Sequence, residues 1–256
     1  MSPGPDYPAK LRELHSLIAT DVNAIPGLWR GIPVSGRMRN CFGHKSGCGS
    51  PYCPACSQSS HFKLEQMLKQ AVDAIDPSRL WFATFTAADC SDDALRFTVK
   101  QVSDAGRKML KGVKSLNGWF MRQEVSRYGP GRYHAHIHAL IDTKPGYHSG
   151  RNSMSAMKWE EAWSSALPSD MHSVQFAPVV IKRVTATKGI IRYLSKSPWS
   201  EAIGESTEET IDSVVEICNQ LLLTTGLKRY ASSSSLSIKM RPSRRQLSAG
   251  HTPSQR

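Results

Sequence analysis

Long apolar runs are missing. The longest apolar stretch, residues 176–181, is six residues and holds Pro178. A membrane-spanning helix needs about twenty, so the sequence predicts no membrane span. The opening MSPGPDYPAK lacks the apolar segment that a secretory signal requires. Cysteine is scarce outside one short stretch: Cys41, Cys48, Cys53 and Cys56 crowd together, while Cys90 and Cys218 stand alone. These features predict a cytoplasmic protein with reduced thiols, the two isolated cysteines being ordinary buried ones. No GxxxxGK[ST] loop is present, which argues against nucleotide hydrolysis. Acidic residues are also few. Against 33 Lys and Arg stand 21 Asp and Glu, giving a net charge of +12. No acid follows Glu216, and none falls in residues 185–200. Such a balance predicts an anionic partner, and nucleic acid is the commonest large polyanion in the cytosol. The plain alternative is a basic surface that only aids solubility.

What remains suits one sizeable domain with small attachments, since 39% of the 256 residues are hydrophobic. Residues 1–36 are proline-rich, with room for one helix at 9–20. Residues 37–60 are rich in Cys, Gly and Ser and read as an irregular loop. From there the periodicity predicts a helix at 61–75, a strand at 80–86, a helix at 92–115 and a strand at 117–128. A Gly129-Pro130-Gly131 turn follows, then a strand at 132–142, a helix at 154–167 and a strand at 173–182, placed at a sheet edge by Pro178. Helices at 185–197 and 207–223 complete the series. Residues 228–256 carry seven Lys and Arg and a serine run, and read as a basic disordered tail. The order β-α-β-β-α-β-α predicts an α+β fold, a ferredoxin-like split βαβ. Its central antiparallel sheet would carry helices on one face and leave the other free for a site. The domain boundaries that follow are an N-terminal extension at 1–36, a zinc-binding module at 37–60, the sheet domain at 61–200, a helical segment at 201–227 and the tail at 228–256.

The segment YHAHIHALI is the most informative. His134, His136 and His138 fall at alternate positions of a strand, and side chains on a strand alternate faces. The three imidazoles therefore share one face, and Tyr133, Ala135, Ile137, Ala139 and Ile141 the other. With the turn at 129–131, Tyr128 stands opposite Arg132, Ser126 opposite His134 and Glu124 opposite His136. Directly opposed residues share a face, so Glu124 joins the histidines. A carboxylate with imidazoles and open positions suits a divalent cation such as Mg²⁺ or Mn²⁺ that must also bind a phosphate oxygen. The alternative is a polar face of solvated histidines.

On the helix at 185–197, Tyr193 and Lys196 are three residues apart and share a face. A phenol is a weak nucleophile at its ordinary pKa of about 10, and Lys196 is near enough to help. A lone tyrosine on such a helix is otherwise a packing residue. Lys182, Arg183, Lys188 and Arg192 approach the tyrosine and are placed for phosphate contacts. Arg107, Lys108, Lys111 and Lys114 read as a solvated helix face.

The four clustered cysteines, with Cys53 and Cys56 as a CxxC pair, match a tetrahedral Zn²⁺ site that would hold an otherwise coreless loop. His44 is an alternative ligand, and a redox pair or a disulfide are the competing readings.

His136-Ile137-His138, Thr84-Phe85-Thr86 and Arg192-Tyr193-Leu194-Ser195-Lys196 together resemble the motifs of HUH endonucleases. Their order resembles that of plasmid rolling-circle replication initiators with a single catalytic tyrosine and an upstream cysteine cluster, over residues 37–200. The resemblance implies that His136 and His138 bind the cation, with Glu124 or His134 completing the set. It implies that Tyr193 attacks a DNA phosphodiester and becomes joined to the 5′ phosphate, Lys196 steadying the phosphate or the tyrosinate. Single-stranded and origin double-stranded DNA, a host helicase and a polymerase are the partners it implies. The sequence departs from that pattern in having no carboxylate near Tyr193 on the same helix. A single-tyrosine transposase or relaxase is the alternative within the superfamily. A non-catalytic zinc-containing DNA-binding regulator is the alternative outside it.

Overall fold

The computed structural model describes residues 53–129, 131–147, 153–172, 179–199 and 229–237, with isolated positions at 217, 220, 224 and 227. The expected helix at 9–20, Cys41, His44, Cys48, most of the helix at 207–223 and the end of the tail lie outside them.

Helix α1 spans Pro54–Asp73. Proline suits the first helical position because its missing N–H would have no partner there. Ser57, His61, Leu64, Leu68 and Val72 recur at helical spacing and are buried. The helix begins seven residues before the expected start at 61. The region expected to be irregular up to residue 60 is therefore helical from Pro54, and a domain boundary at 60/61 would cut through α1.

The sheet domain follows the expected order. Strand β1 is Leu80–Ser91, helix α2 Asp92–Gly112, strand β2 Leu116–Gly129 and strand β3 Arg132–Thr143. Helix α3 is Ala156–Ala166, strand β4 Val179–Arg183 and helix α4 Thr187–Ser195. Asp92 and Asp93 sit in the first turn of α2, where the helix dipole favours negative charge. The strand order is β4-β1-β3-β2, with a fifth strand, β5 (Tyr230–Ser234), on the outer side of β2. All neighbours are antiparallel, so β1 and β2 run the same way with β3 between them. This is the split β-α-β arrangement, with β4 at the edge. Residues 173–178, expected to open β4, lie outside the description.

The hairpin register agrees with the sequence reading at its centre: Glu124 faces His136 and Ser126 faces His134. It differs at the tip, where an irregularity after Arg127 sets Gly129, not Tyr128, opposite Arg132. Gly131 has φ +64°, a conformation that glycine adopts without a Cβ penalty.

Two findings correct the sequence reading. First, helices cover both faces of the sheet. On one face α2 and α3 bury Phe85, Ala135, Ile137 and Ala139 beneath Val99, Val102, Trp159 and Trp163. On the other, α1 and α4 bury Leu80, Phe120 and Leu140 beneath Leu64, Leu68, Ile191 and Leu194. The second face is thus apolar at Leu140 and becomes polar at His138, two residues back along β3. Second, residues 230–234 are not a disordered tail. Ser232 to Ser234 offer little apolar surface, but their backbone pairs with the edge of β2, and Tyr230 and Leu236 pack against the α1/α4 core. Ser235 Oγ donates to buried Asp142 at 2.7 Å, alongside Arg79 and Asn117. A run of small polar residues gives no hydrophobic pattern, so this strand leaves no trace in periodicity.

Candidate active site

The site lies where β3, β2 and α4 meet. Alternation along β3 puts the three histidines in a row, with ring centroids 5.5 Å apart for His134 and His136 and 4.6 Å apart for His136 and His138. Glu124 reaches in from β2. Its Oε2 lies 3.2 Å from His138 Nε2 and 3.9 Å from His136 Nε2. One donor atom from each of Glu124, His136 and His138 falls within a 4.8 Å cluster. Two imidazoles and a carboxylate at this spacing fit a divalent cation with open positions. His134 lies outside that group: its Nδ1 is 2.9 Å from Asp89 Oδ1, and Asp89 also pairs with Arg132 at 3.0 Å.

Helix α4 brings the tyrosine to the same point. Tyr193 Oη is 2.8 Å from His138 Nε2 and 3.1 Å from Glu124 Oε2. The other nitrogen of His138, Nδ1, is 3.0 Å from Thr84 Oγ1 on β1, which leaves Nε2 aimed at the site. Phe82 stacks on the His138 ring at 5.6 Å and meets Tyr193 edge-on at 6.1 Å. Lys196 follows the last residue of α4. Its Nζ lies 3.6 Å from Glu124 Oε1 and 5.3 Å from the centre of the Tyr193 ring. Arg122, buried beneath α4, donates from Nη1 to the Tyr193 carbonyl at 3.0 Å.

The electrostatics match a cation site. Burial works to raise the Glu124 carboxyl. The hydrogen bond from His138 and the charges of Arg122, His136 and His138 together outweigh it, and hold the group down at about 2. Burial, helped by the charge of His138, pushes His136 down to about 4. At neutral pH the carboxylate is ionised and this imidazole is neutral, the forms that ligate metal.

Sequence reasoning had no partner for His134, and no carboxylate near Tyr193. The structure supplies both from other strands. Asp89 is aligned by an irregularity in the β1–β3 pairing between Thr86 and Asp89, which no periodic reading reveals. Glu124 lies beside the histidines and the tyrosine together, so the carboxylate missing from α4 comes from β2. Arg122, Asp89 and Phe82 were not singled out, although Arg122 falls directly opposite His138 in the hairpin register. Among the cations expected near the tyrosine, Lys182, Arg183, Lys188 and Arg192 are all exposed. Lys182 opposes Phe82 and so shares the face of the site, whereas Arg183 opposes Trp81 and points to the reverse. On α2, Arg107 and Lys100 pair with Asp104, as a solvated face does. Cys53 occupies the N-cap position of α1, makes no side-chain capping bond and is buried, and Cys56 lies in the first turn.

The chain is 29% identical over 135 residues to "Protein rep" of Lentilactobacillus hilgardii, a match covering 50% of this chain and 43% of that protein. The chain thus spans less than half the length of that relative. No solved structure matches. The family model described as "Replication protein" matches residues 41–218, well over half of the sequence and all of the site described above. The chain belongs to this Replication protein family.

Proposed function

We propose that this protein initiates rolling-circle replication of a plasmid by nicking and joining one DNA strand through Tyr193. The observation that carries the reading is the convergence of Tyr193 Oη, His138 Nε2 and Glu124 Oε2 within about 3 Å of one another. A packing tyrosine has no need of that company.

Glu124, His136 and His138 would hold Mg²⁺ or Mn²⁺, whose charge offsets that on the nonbridging phosphate oxygens. The rest is the work of the chain. Arg122 and Phe82 fix the tyrosine over the histidine strand, so that its oxygen meets phosphorus with little rotational freedom left to lose. Glu124 Oε2 stands within hydrogen-bond distance of Tyr193 Oη to take the phenol's proton, while the Nε2 lone pair of His138 is left to the cation. The tyrosine oxygen bonds to the 5′ phosphate as the bond to the 3′ oxygen breaks. The leaving oxygen takes up a proton and becomes the 3′-OH that primes synthesis. Lys196 places a positive charge beside the tyrosine and Glu124. Exposed Lys182, Lys188 and Arg192 supply further charge for single-stranded and origin duplex DNA. A host helicase and polymerase would extend the strand from that 3′-OH.

A structural Zn²⁺ on Cys41, Cys48, Cys53 and Cys56 belongs to the same proposal. Purified protein should hold about one zinc per chain, and replacing Cys53 and Cys56 by Ser should remove it. Metal analysis decides this, and a zinc-free native chain would end the zinc assignment.

Replacing Tyr193 by Phe removes only the hydroxyl and tests the nicking reading. The variant should bind single-stranded origin DNA as the parent does and form no covalent adduct on a denaturing gel. An adduct retained in the variant would move the nucleophile elsewhere. Normal DNA binding with no adduct from the parent in any divalent cation would favour the non-catalytic regulator.

A further inference from the structure

A cavity of about 390 Å³ opens beside the catalytic group, where the ladder between β2 and β5 ends. That ladder stops at Arg122 opposite Tyr230, with one further bond from Gln123 N–H to the Arg229 carbonyl. Beyond it β2 continues to Gly129, whereas β5 begins only at Tyr230. The walls join two kinds of chemistry. Arg122, Arg127, Arg229 and Lys196 line it with guanidinium and ammonium groups, and Val125 and Leu227 are among its apolar residues. Among the described residues that line it, the one carboxylate is Glu124, which already pairs with Lys196 and the site histidines. Glu124 and Lys196 border both the cavity and Tyr193, so whatever fills the cavity adjoins the reacting phosphate.

We propose that this cavity binds one nucleotide of the cut strand, its base against the apolar wall and its phosphate against the arginines. The inference rests on the nicking function proposed above and names where the neighbouring nucleotide goes. The volume lies at the small end of the roughly 300–1,000 Å³ typical of small-molecule sites, which suits one nucleotide and not a stretch of strand. Cations alone would suit any anion, and an apolar wall alone any greasy group. A flat apolar ring joined to a phosphate satisfies both. Because the scissile phosphate is held at Tyr193 by the chain to which this nucleotide belongs, filling the cavity also sets the register of the strand.

The test compares two single-stranded probes of equal charge, a thymidine 12-mer and a 12-mer of abasic residues. Binding to the full chain is read by fluorescence anisotropy in EDTA at fixed salt. The native chain should bind the thymidine probe at least tenfold more tightly. Leu227→Trp fills the cavity and should abolish that preference while leaving affinity for the abasic probe unchanged, which also reports that the variant is folded. Should Leu227→Trp bind neither probe, Gln220→Trp, which enters the same cavity from a neighbouring position, decides by the same comparison. Arg229→Gln should weaken both probes and lower the slope of log affinity against log salt by about 1. Equal binding of the two probes by the native chain overturns the proposal, as does a base preference that survives in the cavity-filled variant. Since no cation is present, the result does not depend on nicking. Loss of the adduct reading would leave the base preference in place, and absence of the preference would leave the adduct.

Discussion

His138 is the residue on which the site turns. One ring nitrogen faces Thr84 and the other faces Tyr193 and Glu124, while Phe82 stacks on its ring. Its position was legible in the sequence because alternation on a strand has a fixed period of two. The same reasoning reached Glu124, since a short hairpin fixes which residues oppose each other. It did not reach Asp89, because an irregular pairing breaks the count between Thr86 and that residue. His136→Ala and His138→Ala should each abolish nicking in Mg²⁺ or Mn²⁺ and leave the circular dichroism spectrum unchanged, because both rings line the site and not the apolar cores. Normal nicking by both would refute the cation assignment. Thr84→Val keeps the shape of the side chain and removes the oxygen that orients His138. Losing such a partner costs roughly 10–100-fold in metal affinity or activity. A cation titration of nicking rate should show that loss, and an unchanged titration would leave Thr84 with no orienting role.

At the scale of elements, α1 and β5 are the parts that periodicity described least well. Helix α1 is attached through His61, whose Nδ1 lies 2.7 Å from the Ser195 carbonyl at the end of α4. Burial, with the charges of Arg122 and Arg229, pushes His61 down to about 4. The folded state therefore binds this proton less readily than the unfolded chain, whose histidines titrate near 6.5. The contribution of His61 to stability is fully present above about pH 6.5 and is lost as pH falls toward 4. Thermal unfolding should show a midpoint that drops across this window, with a smaller drop in His61→Gln. An identical pH dependence in that variant would remove His61 as a cause. Strand β5 is attached through Gly118, where an added Cβ would lie 2.2 Å from Ser235 Oγ and 2.8 Å from its backbone nitrogen. Gly118→Ala should cost about 1–3 kcal/mol, as overpacking does, read as a lower denaturant midpoint. No change would mean that β5 yields at little cost.

Over the whole molecule, the α+β class, the split β-α-β plan of the first four strands and the edge position of β4 follow from the sequence. Strands joined through helices and one tight hairpin leave few arrangements. The second helical layer did not follow, because an amphipathic helix shows that it packs but not on which face. α1 and α4 take the face expected to stand open, and the site survives because their apolar packing ends at Leu140. This placement gives the site a floor of sheet and a wall of helix, and it is α4 that delivers Tyr193 to the histidines. The nicking function depends on that tyrosine forming a bond to phosphorus. The most direct measurement is mass spectrometry of the protein after incubation with single-stranded origin DNA and Mn²⁺, followed by nuclease and protease digestion. One peptide should gain the mass of a 5′-phosphorylated nucleotide remnant, with the modification at Tyr193 and none in protein incubated with EDTA. A remnant on another residue, or nicked DNA with no remnant on the protein, would contradict it.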